Sequence, residues 1–288
     1  MPGEMTGTRA GTRSGPGLFL LHLACFLLVV VYVNMFPFWA WLSRQVGPGQ
    51  SLKILPIIVT LAVLLIISIR FVQRVNRGYR IKFVFLGLGI VAAFLALAIP
   101  DPHIPIKRVH VAEYIMLSFL VRYALSHRHA GLILTLFTAL VTALYGIHDE
   151  MLQGLHSLRY YGWLDIIVNA VAGLSGAMLG HGLVCFDTDR PEKKSSSWRF
   201  LPARQALFFA ALLAAVVWEV IYLYQHRENG NVFIATVPLA ICCVFLAGLY
   251  PATVFSSKTN HGLQAVFWLS LGLVVYPILA GLGWMEFR

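Results

Sequence analysis

Between residues 107 and 180 the chain sets Lys107, His110, Glu113, Asp149, Glu150, Gln153, Arg159, Asp165 and Asn169 into a background that is otherwise largely apolar. An ionisable side chain near hydrocarbon is costly to keep, so each such group is paired, hydrated or put to use. The residue types point to two kinds of chemistry. His110, Glu150 and Asp165 have acid-base capacity, and Lys107 and Arg159 are suited to hold an anion, the guanidinium through its planar fork. Glu113, Asp149, Gln153 and Asn169 supply hydrogen-bonding groups around them.

The spacings gather these residues on shared faces. His110 and Glu113 are three apart, with Tyr114 closing the turn at i, i+4. Asp149 and Gln153 are four apart, and Glu150 and Gln153 three apart. Asp165, Asn169, Gly173, Gly176 and Gly180 follow at steps of four, four, three and four, a stripe that is first polar and then small. Small residues let a neighbouring helix approach closely. Arg159 with Asp165 or Glu150 is a candidate ion pair of the intervening loop.

The elements that carry these faces belong to a membrane protein. Of 288 residues, 59% are hydrophobic and only 12% charged, far from the usual soluble balance. Crossing a bilayer takes roughly 17 to 25 apolar residues. Such segments run over 18–42, 53–72, 81–99, 109–126, 130–147, 164–185, 204–225, 232–254 and 263–284. The expectation is an all-α bundle of about nine transmembrane helices. Continuous apolarity without alternation argues against a β-barrel.

Charge orients the bundle. With nine crossings and a cytoplasmic N-terminus, 15 of the 22 Lys and Arg residues lie inside. The seven outside are Arg44, Lys53, Lys107, Arg108, Arg159, Arg227 and Arg288. This is a positive-inside bias, so the net charge of +10 reflects cytoplasmic anionic lipid rather than nucleic acid. The lipid bilayer is the expected partner, and no nucleic acid is. Eight of the 12 acids fall on the outer half, where the polar ends of the fourth, fifth and sixth segments also lie. Glu219, six residues before Gln225, sits roughly 9 Å inside the outer end of the seventh segment, from where it is a candidate to join the same pocket.

The organisation that follows is a polar cytoplasmic tail over 1–17, two helices over 18–80, a four-helix core over 81–186, a hydrophilic cytoplasmic linker over 187–203 and three helices over 204–288. The first apolar run is too long for a cleaved signal and reads as an uncleaved helix. Cys25, Cys185, Cys242 and Cys243 lie in or at the end of apolar segments, which implies buried thiols and no disulfide framework. His110, Asp149, Glu150 and Asp165 have ligand chemistry but no compact metal spacing, and no metal or cofactor is assigned. The G-L-S-G at Gly173–Gly176 places Ser175 inside a continuous helix, without the base and oxyanion donors that a nucleophile requires.

From Leu95 to Gly180 the order of motifs resembles the VanZ-like family. The elements are AIP ending at Pro100, K-R-V-H-V-A-E-Y over Lys107–Tyr114, D-E-M-L-Q over Asp149–Gln153, Arg159, and D-I-I-V-N-A-V-A-G-L-S-G over Asp165–Gly176. Ile106 stands where the family often has an acid, and Tyr160 and Tyr161 where it often has small polar residues. The resemblance implies a bacterial cytoplasmic (inner) membrane protein of envelope physiology, with an effect on sensitivity to glycopeptides of the teicoplanin type. Read together, residues and resemblance suggest an outer-leaflet pocket that binds or modifies a lipid-linked or phosphate-bearing envelope molecule. The alternative is a non-enzymatic scaffold or a small-solute permease, against which stands the scarcity of polar groups in the inner halves of segments four to six.

Overall fold

A computed structural model describes residues 15–46, 51–100, 105–156, 159–186, 203–226, 232–255, 261–282 and 287. The proposed tail lies outside the described residues up to position 14, and the proposed linker lies outside them over 187–202. The described chain is helical, with no strand among its residues. Its helices are α1 (Gly15–Val46), α2 (Ser51–Asn76), α3 (Phe83–Ala98), α4 (Val109–Ser126), α5 (Gly131–Leu155), α6 (Trp163–Gly182) and α7 (Ala203–His226). They continue as α8 (Val237–Leu249), α9 (Pro251–Phe255), α10 (His261–Leu273) and α11 (Val275–Gly281). Short 3-10 turns at Pro105–Arg108 and Val232–Thr236 lead into α4 and α8.

Seven stretches are long and apolar enough to cross a membrane: Phe19–Phe38, Ile58–Asn76, Gly131–Leu155, Trp163–Gly182, Ala203–His226, Val232–Leu249 and His261–Gly281. The apolar helix α3 is shorter, at 16 residues, and α4 mixes Glu113 and Arg122 into its apolar sequence. Large apolar side chains such as Leu27, Leu65, Phe94, Leu207 and Val244 point outward. That surface suits hydrocarbon, which cannot satisfy backbone groups and therefore favours helices.

The packing centre is α6, which lies against α3, α4 and α5. Its small-residue stripe accounts for the closeness. At Gly176 an added Cβ would lie 2.8 Å from the Ile115 carbonyl oxygen and 2.7 Å from the Ser118 Cβ on α4. Polar pins cross the same interfaces: the Ser118 hydroxyl donates to the Gly173 carbonyl at 2.9 Å, and the Ser175 hydroxyl to the Gly89 carbonyl at 2.7 Å. Ser175 is thus a helix-to-helix contact within continuous α6. Around this centre, α1 lies against α4 and α5, α10 against α5, and α7 against α8.

Candidate functional site

The fifth helix runs past the boundary that hydropathy suggests. Its apolar sequence stops at Ile147, yet α5 continues to Leu155, so His148, Asp149, Glu150 and Gln153 are helical and buried. The reason is local compensation: each polar group that enters the bundle there meets a partner. His148 bridges to the C-terminal helices, its Nδ1 lying 2.8 Å from the Tyr276 hydroxyl and its Nε2 3.0 Å from the Leu269 carbonyl oxygen. The helix ends where the His156 amide donates to the Gln153 carbonyl.

Two adjacent carboxylates form the floor of the site. Asp149 accepts from the Tyr114 hydroxyl at 2.9 Å and from Gln153 Nε2 at 3.1 Å. Glu150 accepts from the same Gln153 Nε2 at 2.8 Å and from the Gly162 amide at 3.0 Å. All three donor groups are neutral. Both carboxylates have no exposed surface, and none of their described hydrogen bonds comes from a cation. The His110 ring lies within electrostatic reach of both.

The loop into α6 adds a third acid. Gly162 precedes α6, and an added Cβ there would lie 2.7 Å from Asp165 Oδ2 and 3.5 Å from Glu150 Oε2. The two carboxylates therefore approach one point from different helices, which the absence of a side chain at Gly162 leaves open. Asp165 lies in the first turn of α6, where the helix dipole favours an anion, and Lys107 Nζ lies 2.7 Å from its Oδ2. Lys107 marks the rim, since its side chain is 37% exposed against 9% for Asp165.

Arg159 takes a different partner from either expected acid. Its guanidinium donates to Gln153 Oε1 and to the Val33 carbonyl oxygen on α1, and it stacks over the Phe36 ring. Gln153 is thus the hinge of the network, donating to both floor carboxylates and accepting from Arg159. The expected Arg159–Asp165 or Arg159–Glu150 pair is replaced by Lys107–Asp165, because the amide of Gln153 stands between the guanidinium and the acids. His110 Nδ1 lies 3.0 Å from Glu113 Oε2, as their spacing implies, and the Glu113 carbonyl accepts from the Tyr32 hydroxyl on α1.

Asn169 lies one turn into the bundle from Asp165. It is fully buried, and neither its amide nitrogen nor its amide oxygen has a hydrogen-bond partner among the described residues. Its side chain packs on α5 at Gly146, where an added Cβ would lie 2.8 Å from the Asn169 Cβ and 3.4 Å from the Tyr114 ring. The expected site residues on α4, α5 and α6 are therefore brought together. Glu219 shares no described hydrogen bond or ion pair with them, although the nearby Tyr161 hydroxyl donates to the Val220 carbonyl.

Three contributions were not anticipated from sequence. The Tyr114 hydroxyl and the Gly162 amide hold the floor acids, and His148 fastens their helix. The tripeptide His148-Asp149-Glu150 was the available signal for the last. At the other end of the core, Arg122 is completely buried. Its Nε donates to the Cys185 carbonyl at 2.8 Å and its Nη1 to the Thr135 hydroxyl at 3.1 Å. With Lys82 Nζ, 3.1 Å from His181 Nε2, it makes this end of the core more polar than hydropathy suggests. Among the described residues no group of three or more His, Cys, Asp or Glu is arranged to hold a metal ion. No family model, curated protein or solved structure matches the chain.

Proposed function

We propose that the chain is a VanZ-like protein of the bacterial cytoplasmic membrane, with nine crossings and a cytoplasmic N-terminus. Its polar cluster then opens toward the outer leaflet and binds, and chemically modifies, a lipid-linked or phosphate-bearing envelope molecule. The observation that carries this reading is the Asp149–Glu150 floor: two adjacent buried carboxyl groups whose hydrogen bonds among the described residues all come from neutral donors. A structural network alone would be better served by an apolar core or by acids matched with cations. The cations stand at the rim instead, Lys107 half-exposed and Arg159 over Phe36.

In this reading Lys107 and Arg159 hold the phosphate, while Glu150, Asp165 and His110 move protons. Gln153, Asp149 and Tyr114 fix the orientation of Glu150. Asn169, whose amide has no hydrogen-bond partner among the described residues, and Glu113 complete the wall. The resemblance adds that the affected process is envelope assembly and tolerance to a teicoplanin-type glycopeptide.

The scaffold reading has one observation in its favour, the closed chain of hydrogen bonds from Arg159 through Gln153 to both floor acids. Two measurements separate them. Lipids retained by the purified protein, identified by mass spectrometry, should include a phosphate-bearing envelope lipid that Lys107→Met with Arg159→Met releases; identical retention by the folded double variant contradicts the binding reading. Cysteine labelling from outside, with the native cysteines replaced by serine, should reach His156→Cys and miss Arg77→Cys. Labelling of Arg77→Cys from outside would move the site to the cytoplasm.

A further inference from the structure

Glu219 is the acid that the outer cluster leaves unused. It sits in α7, which packs against α8, the Val232–Thr236 turn, α10 and α6. Its side chain has no exposed surface, and neither carboxyl oxygen has a hydrogen-bond partner among the described residues. On the same helix Leu212, Val216 and Leu223 are buried, and across from it α8 buries Leu239, Cys243 and Leu246. Cys243 lies within electrostatic reach of Glu219.

The other titratable groups nearby are committed elsewhere. On α6, Asp165 is paired with Lys107 and His181 lies against Lys82. On α10, His261 Nε2 lies 3.1 Å from His22 Nε2. On α7 itself His226 Nδ1 contacts the Tyr222 carbonyl, Tyr224 is exposed, and the Val232–Thr236 turn carries no titratable side chain. Tyr161 gives its hydroxyl proton to the Val220 carbonyl, the next residue along from Glu219. Among the described residues a carboxylate in this place meets no cation and no hydrogen-bond donor, and an ionised group so buried is strongly unfavourable. A neutral carboxylic acid of the same size meets a far smaller penalty.

We propose that Glu219 is a proton-binding site of the C-terminal helices, separate from the outer cluster: its carboxyl group holds a proton where α7 and α8 enclose it. Ionisation and burial oppose one another here, because no hydrogen bond or ion pair among the described residues compensates a carboxylate. The site takes a proton, in a position that the four-helix core does not share. It does not rest on the envelope-lipid reading.

The test is infrared difference spectroscopy of the full chain in lipid bilayers, recorded across a pH series. The protonated-carboxyl carbonyl stretch should include a component that is lost in Glu219→Gln, retained in Glu150→Gln, and lost from the wild type as the pH is raised. Glu219→Gln keeps size and neutrality, so the variant preserves α7–α8 packing. Coincident wild-type and Glu219→Gln spectra in that region overturn the proposal, as does a Glu219 component that sodium or potassium removes at constant pH. An apolar carbodiimide gives a second readout. The carboxyl O–H adds across one C=N bond, forming the O–C bond and placing the proton on nitrogen, and the adduct rearranges to a stable acylurea with nothing released. Adduct at Glu219 that falls as pH rises supports proton release, and a yield indifferent to pH contradicts it.

Discussion

The two ends of the α4–α6 core solve the same problem in opposite ways. At one end a buried cation, Arg122, is held by a backbone carbonyl and a threonine hydroxyl. At the other, the buried carboxylates of Asp149 and Glu150 are held by an amide side chain, a tyrosine hydroxyl and a backbone amide. The two ends differ in what they gather. Arg122 is a single charge whose contacts tie α4 to α5 and to the end of α6, which is the work of a clasp. The floor acids are two carboxyl groups side by side, with a third acid, Asp165, converging on Gly162, and a buried Asn169 amide nearby that has no hydrogen-bond partner among the described residues. Acids gathered in this way add little to a fold, and the proposed function gives this end its use.

Breaking the clasp should have the largest effect on stability. Arg122→Leu removes hydrogen bonds from a charged donor, each worth roughly 1.5–3 kcal/mol. The purified variant should unfold at markedly lower temperature, or fail to accumulate in the membrane. Unchanged thermal unfolding would remove the structural reading of this end.

A smaller loss is expected at the interface between the two ends. Gly176→Ala forces a methyl group to within 2.8 Å of the Ile115 carbonyl oxygen, and overpacking of this kind costs about 1–3 kcal/mol. Because the obstruction is backbone, Ser118→Gly should not fully restore stability. Complete rescue in thermal unfolding would show that only the Ser118 side chain was in the way.

The rim pair should matter least to the fold. Lys107 is more than a third exposed, and exposed ion pairs contribute about 0–1 kcal/mol. A double-mutant cycle over Lys107→Met and Asp165→Asn should give a coupling within that range. Coupling of several kcal/mol would recast Lys107–Asp165 as part of the scaffold.

Much of this was written in the sequence. The steps from Asp165 to Gly180 and from His110 to Glu113 identified the buried face of α6 and the shared face of His110 and Glu113 on α4, because helical periodicity survives any tertiary context. What hydropathy misjudged was polarity inside the bundle. It ended the fifth helix at Ile147, since a run of His, Asp and Glu resembles a loop until the partners that bury it are known. Arg159 was paired by charge with an acid, whereas Gln153, able to donate and accept at once, intercepts it. Partner choice of this kind depends on three-dimensional proximity, of which a linear spacing carries only the part within one helix.

The central claim is that the acid floor works chemically while the Arg122 end holds the fold, and Glu150→Gln tests it most directly. The substitution keeps size and one acceptor oxygen and removes the proton-transfer group, at the cost of one of the two hydrogen bonds that Glu150 accepts from Gln153 Nε2 and the Gly162 amide. The measurement is thermal stability of the purified variant beside lipid-precursor composition and glycopeptide tolerance of cells that carry it at normal expression. The account predicts lost envelope function in a variant that still inserts and folds, with a stability loss no larger than one buried hydrogen bond, about 1–3 kcal/mol; full function, or a loss of function that merely follows unfolding, would contradict it.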